Sequence, residues 1–96
     1  MSPKNKIKLN FLRKKLDNLD IRLLKIVKER TEIIKKVLSL KSYKKEIIDK
    51  KRISIVLKKI RTESIKKKID PIITRRIWKN MIWTYIDFEK RNFKKK

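Results

Sequence analysis

The chain contains no cysteine, histidine, glycine or alanine. Without cysteine there are no disulfides, no thiolate nucleophile and no thiolate metal site. Without histidine the commonest metal ligand and the usual general base near neutral pH are missing. Without glycine there is no phosphate-cradling glycine loop. No apolar run approaches the ~18 residues of a membrane span. The opening, MSPKNKIKLN, lacks the apolar segment of a secretory leader. The expectation is one cytoplasmic domain over residues 1–96, with its core at about 9–91, a basic tail at 92–96, no metal, no cofactor and no membrane contact.

What is abundant is positive charge. Lysine and arginine number 32 against 10 acids, a formal net charge of +22. Such a balance invites a nucleic-acid reading. Its make-up weakens that reading, because 24 of the 32 are lysines and only 8 are arginines. Base readout and phosphate forks favour arginine. Isoleucine and lysine are plentiful while alanine and glycine are absent, as a bias toward A/T-rich codons would produce. The lysines are spread over the whole chain, so a solvated lysine surface is the ordinary reading. Specific nucleic-acid binding is therefore not expected; a basic helical nucleic-acid-binding or interaction protein is kept as the alternative from another class.

Apolar periodicity predicts an all-α fold of three helices. Leu9, Leu12, Leu16, Leu19, Leu23 and Ile26, then Ile33, Val37 and Leu40, step by three and four. This predicts one helix over residues 7–41, about 50 Å long at the standard rise. A compact chain of this size has a radius of gyration of only about 12–13 Å. The seam is thus too long for its own chain to cover, and a partner helix is implied. Residues 42–48 read as a polar connection anchored by Ile47 and Ile48. A second helix is predicted over 49–67, with Ile53, Val56, Leu57 and Ile60 on its buried face. Asp70-Pro71 is a helix start, aspartate at the N-cap and proline at the first turn. The third helix then runs from residue 71 to 88 or beyond, with Ile73, Ile77, Met81 and Tyr85 as its stripe, flanked by Trp78 and Ile82. Residues 91–96 read as a frayed tail.

One beat of the first seam falls on Arg30. A charged residue there can set register, or its long side chain can reach out to water. Lys41, eleven residues on, points along nearly the same line. Arg13, seventeen residues back, lies about 25 Å away on a straight helix. Arg13 and Arg30 of one chain therefore cannot share a small ligand. Two antiparallel helices would bring Arg13 of one chain toward Arg30 and Lys41 of the other, and twofold symmetry would give two such pockets. Asp49 and Arg52 open the second helix, and Glu89 follows Tyr85 by one turn. A pocket lined by Arg13, Arg30, Lys41 and Arg52 suits a small ligand with more than one carboxylate.

LRKKLDNLDIRLLKIVKER, with a lysine eleven residues after its last arginine, resembles the opening helix of the all-α class of chorismate mutase. DKKRI is similar to the start of that family's second helix, and IDPIITRRIWKNMI to its third. The resemblance covers about residues 9–91. It implies an intertwined antiparallel helical homodimer with shared active sites. It implies rearrangement of chorismate to prephenate, on the route to phenylalanine and tyrosine, without a cofactor. Position by position, Arg30 and Lys41 would bind substrate from one chain and Arg13 from the other. Arg13 and Arg30 would hold carboxylates, and Lys41 would face the ether oxygen. Asp49 and Arg52 would complete the wall near the ring. Lys41, Glu89 and Arg30 would be the catalytic set.

Three positions depart from the family pattern. Ile53 replaces a glutamate that contacts the ring hydroxyl. Tyr85 replaces a small serine. Glu89 stands where glutamine is common, as it does in some members. The ordinary alternative for Glu89 is a surface carboxylate paired with Lys90 or Arg91. An isochorismate pyruvate lyase would share the same cationic pocket and is the alternative within the family.

Overall fold

The computed structural model describes residues 1–94 and contains three helices: α1 (Pro3–Leu40), α2 (Lys50–Lys66) and α3 (Pro71–Asn92). No strand occurs among the described residues, and no helix among them is long and apolar enough to cross a membrane. The all-α architecture with a long first helix agrees with the periodicity of the sequence.

The chain divides into two compact units, Met1–Ile33 and Ile34 onward. The first is almost entirely helix. It starts four residues earlier than the apolar beat predicts, because Ser2 caps it. The Ser2 hydroxyl accepts from Asn5 N–H at 3.2 Å and its carbonyl accepts from Lys6 N–H at 2.9 Å. Pro3 takes the first helical position, where a missing N–H costs nothing. Phe11, Leu12, Leu16, Leu19, Leu23 and Ile26 are all exposed. Lys15 covers one side of the Phe11 ring, its ammonium 4.8 Å from the centroid.

The second unit carries the core. Leu38, Ile47 and Ile86 are buried, with Ile48, Ile53, Ile82 and Phe93 packed against them. Ile47, expected only as an anchor of the connection, is 3% exposed and sits at the centre. The connection is shaped by a short 3₁₀ turn at Lys44–Glu46, where the Glu46 carboxylate accepts from Tyr43 N–H at 3.0 Å. Asp49 caps α2 by accepting from Arg52 N–H at 2.9 Å, and Asp70 caps α3 by accepting from Ile72 N–H at 2.9 Å.

Two expectations for α3 require correction. Ile73 and Ile77 are exposed, and the inward face is instead Thr74, Trp78, Ile82, Ile86 and Glu89. The inward face includes polar residues that an apolar count overlooks. Thr74 is buried because its hydroxyl lies 2.7 Å from that of Ser64, which also donates to the Ile60 carbonyl at 2.6 Å. That pair pins α2 against α3 through satisfied hydroxyls. The tail is also shorter than expected: α3 continues through Asn92, and Phe93 packs on the core. Lys95 and Lys96 lie outside the described residues.

The turn between α2 and α3 closes without glycine. Ile69 N–H reaches back to the Ser64 carbonyl at 2.9 Å and Lys68 N–H to that of Ile65 at 3.1 Å, a Schellman closure. This places Lys68 at φ 57°, the left-handed region. For a residue with a Cβ that conformation costs about 1–2 kcal/mol. Glycine would remove the cost while adding freedom to the unfolded chain. Lys68→Gly should therefore raise stability by about 0.5–1 kcal/mol, read as a higher urea midpoint at fixed protein concentration, whereas Lys68→Ala should change it little.

Candidate active site

Helix α1 ends at Leu40, and the next residue is Lys41, one of the candidate site residues. Lys41 N–H bonds back to the Leu38 carbonyl at 3.1 Å, closing the helix and fixing the direction of the Lys41 side chain. Its Nζ donates to Glu89 Oε1 at 3.0 Å. Glu89 is 6% exposed and comes from the inward face of α3. This is a long-range ion pair, 48 residues apart in sequence, with both partners largely withdrawn from water. The surface alternative for Glu89 is corrected: Arg91 pairs instead with Asp87, its neighbour one turn back, at 3.0 Å.

Beside the pair lies an open groove of about 530 Å³, lined by Lys41, Glu46, Ile48, Asp49 and Lys50. Of the residues singled out in the sequence, Lys41 and Asp49 share this groove, and Glu89 reaches it through Lys41. One oxygen of Asp49 is already occupied, holding the start of α2. Arg52 is exposed on the first turn of α2 and does not line the groove. Ile53 turns inward onto the Leu38–Ile47–Ile86 cluster. Tyr85 is half-buried, and its ring meets Phe88 edge-on, with centroids 6.3 Å apart. In the first unit Arg13 is exposed. Arg30 is half-buried there, and its Nε is buried without a hydrogen-bond partner among the described residues.

Glu46, Ile48 and Lys50 are not marked as groove residues by any pattern in the sequence. Their signal is position: they follow the long helix closely and flank the Asp49 cap.

The arrangement fixes one cation. A lysine ammonium has three N–H donors. Glu89 takes one, which leaves two for a ligand oxygen in the groove. A buried carboxylate is tolerated only with its partner, and removing one member of such a pair costs about 3–5 kcal/mol. Lys41→Met should thus destabilise the protein by about 3 kcal/mol. The double variant Lys41→Met/Glu89→Gln should recover a large part of that loss, because no charge is then left buried and alone. Urea unfolding of the two single variants and the double variant checks this. Additive losses would show that the pair is not coupled.

No curated protein matches the chain, and no solved structure does. The family model that describes chorismate mutase type II matches residues 12–90. That span takes in α2 entirely and reaches from the third turn of α1 to the last turn of α3, past the Lys41–Glu89 pair. A match of this extent, on three helices with a buried lysine–carboxylate pair beside a groove, makes the chain a member of the type II chorismate mutase family.

Proposed function

We propose that the protein rearranges chorismate to prephenate, supplying phenylalanine and tyrosine synthesis, and that it works as a homodimer. The observation that carries the reading is the oriented Lys41 ammonium, held by buried Glu89 at the wall of an open groove in a chain of this family.

The reaction is intramolecular. A carbon–oxygen bond breaks as a carbon–carbon bond forms, and no proton, electron or group is exchanged with the protein. It needs the two ends of the substrate held together, which is an effect of orientation. It also needs positive charge at the ether oxygen as that bond breaks. A cation fixed in advance stabilises the developing charge without reorganisation at the moment of reaction. Lys41 supplies it, and Glu89 acts as the positioning residue that aims it. Two carboxylates on the substrate require further cations. Arg30, with its unsatisfied buried Nε, holds one, and Arg13 of a second chain holds the other. Asp49 stands at the ring end on the groove wall, and Arg52, exposed on the same first turn of α2, would join it only by turning in. Ile53 and Tyr85 take the places of polar family residues, so the ring hydroxyl has fewer partners here.

A second copy of the chain answers both needs. Antiparallel α1 helices bury the exposed Phe11–Ile26 face and bring Arg13 across. Oligomeric state should be read by sedimentation over a dilution series, with a dimer expected and a folded monomer at micromolar concentration counting against it. Arg13→Ala and Arg30→Ala chains, each inactive alone, should regain about half of one dimer's activity in heterodimers after exchange. No recovery despite confirmed exchange would mean that each site is built from one chain.

Chorismate loss followed by ultraviolet absorbance, with the product identified, tests the activity itself. Prephenate is expected; release of pyruvate from isochorismate would identify the lyase instead. Lys41→Ala should lower kcat by about 10²–10³-fold, while the affinity for an unreactive dicarboxylate changes much less. A raised KM with unchanged kcat would assign Lys41 to uniform binding. Glu89→Gln keeps an oxygen to accept from Lys41 and should retain activity near neutral pH. Glu89→Ala removes that acceptor and should lose most of it.

A further inference from the structure

Helix α3 carries a second cationic feature that the proposed reaction does not use. Trp83 follows buried Thr74 by nine residues, which at 3.6 residues per turn is about 180° round the helix. Its indole is accordingly turned away from the core and is 52% exposed. Arg76, Lys79 and Asn80 precede it by seven, four and three residues, so all four share one face. Together they line an open groove of about 300 Å³. Lys79 and Arg76 lie about 6 and 10 Å from Trp83 along the helix axis. Asp87, the acid one turn beyond Trp83, is already paired with Arg91.

We propose that this groove binds single-stranded nucleic acid without sequence preference. One base stacks on the Trp83 indole, and the flanking phosphates lie on Arg76 and Lys79. Stacking on an exposed aromatic ring is tolerant of sequence because every base has a π-face. Asn80 offers both a donor and an acceptor to a base edge or sugar. Net charge alone would draw any polyanion to a chain of +22. The exposed indole among cations is what selects a polyanion with rings to stack. A protein partner is the less suited occupant. A protein hot spot is ringed by neutral contacts that exclude water, whereas Trp83 stands in the open among Arg76, Lys79, Asn80 and the exposed Asp87–Arg91 ion pair.

The test is a fluorescence titration of the full chain with an oligothymidine of about 12 nucleotides, within the span that such surfaces cover, at several salt concentrations between about 50 and 200 mM. Binding with quenched tryptophan emission is expected. Trp83→Phe should still bind while losing most of the quench, since Trp78 is half-buried on the inward face. Trp83→Ala should bind about tenfold more weakly. Arg76→Ala/Lys79→Ala should reduce the salt slope by about 1.4, at about 0.7 for each phosphate no longer neutralised. Lys58→Ala/Lys59→Ala, on the exposed side of α2, removes the same charge and should leave both affinity and slope nearly unchanged. Equal losses from the two double variants would overturn the proposal in favour of diffuse charge. So would an unchanged affinity in Trp83→Ala. Polyglutamate binding as tightly as the oligonucleotide, with the same change in Trp83 emission, would overturn it in favour of an acidic protein segment. Circular dichroism of each variant confirms that the helices persist, as expected for substitutions on a solvent-facing side.

Discussion

The ion pair between Lys41 and Glu89 is the constraint on which the second unit is organised. It joins the residue that ends α1 to the inward face of α3, across 48 positions of sequence. Around it the apolar core is small: Leu38, Ile47 and Ile86 are its buried members among the described residues. A core of that size contributes little on its own, so a charge pair that must stay matched has weight in deciding which arrangement the helices adopt. A buried pair is seldom a large net source of stability, because desolvation offsets most of the attraction. Its strength lies in the penalty for separation. Any packing of α3 that moved Glu89 from Lys41 would leave a carboxylate buried without a partner.

The same pair bears on the proposed chemistry. Histidine and cysteine are absent, so a reaction requiring a neutral-pH base or a thiolate has no obvious agent. A rearrangement that needs only held ends and fixed positive charge has no such requirement. In the proposed reaction Glu89 would leave two Lys41 donors unspent while holding the side chain in place, the preorganisation that electrostatic catalysis depends on. The cost is that some of the positive charge is neutralised next to the groove. The proposed reaction would draw its remaining positive charge from arginines, and in the first unit Arg30 keeps a buried Nε without a hydrogen-bond partner among the described residues.

Much of the fold was legible because helices announce themselves locally. The 3.6-residue beat marked α1, and the Asp70-Pro71 cap marked the start of α3, whereas Asp49, read as the first residue of α2, proves to be its cap. Ser2-Pro3 obeys the same rule as Asp70-Pro71, yet lies ahead of the first apolar beat, so periodicity alone began the helix at residue 7. The face of α3 was less legible. Ile73 and Ile77 look like core residues by hydrophobicity, but the Ser64–Thr74 hydroxyl pair turns Thr74 inward in their place. A polar pair that satisfies itself is invisible to a count of apolar residues, since neither residue signals its partner ten positions away. The site divides similarly. Resemblance to the family brought Lys41 and Glu89 to one place, but composition gave no hint that they bond to each other. Glu46, Ile48 and Lys50 enter the groove only because a 3₁₀ turn follows α1, and that turn depends on the Glu46 carboxylate closing on Tyr43 N–H.

Ile53 shows how the core and the site compete for one position. It lies at the end of the first turn of α2, one residue after Arg52 and four after the Asp49 cap. Its side chain faces the Leu38–Ile47–Ile86 cluster rather than the groove. A glutamate here would have to bury its charge against that cluster or swing outward and leave a gap beside Ile47. Ile53 is half-buried, so its side chain contributes part of the roughly 1.5–3 kcal/mol that full burial gives. A polar contact to one substrate hydroxyl offers a net gain of only about 0.5–1.5 kcal/mol. In a chain this small and this highly charged, the balance falls to packing. On the proposed reading, binding of the ring would then rest on shape and on cations at the substrate carboxylates, whose charge the rearrangement retains.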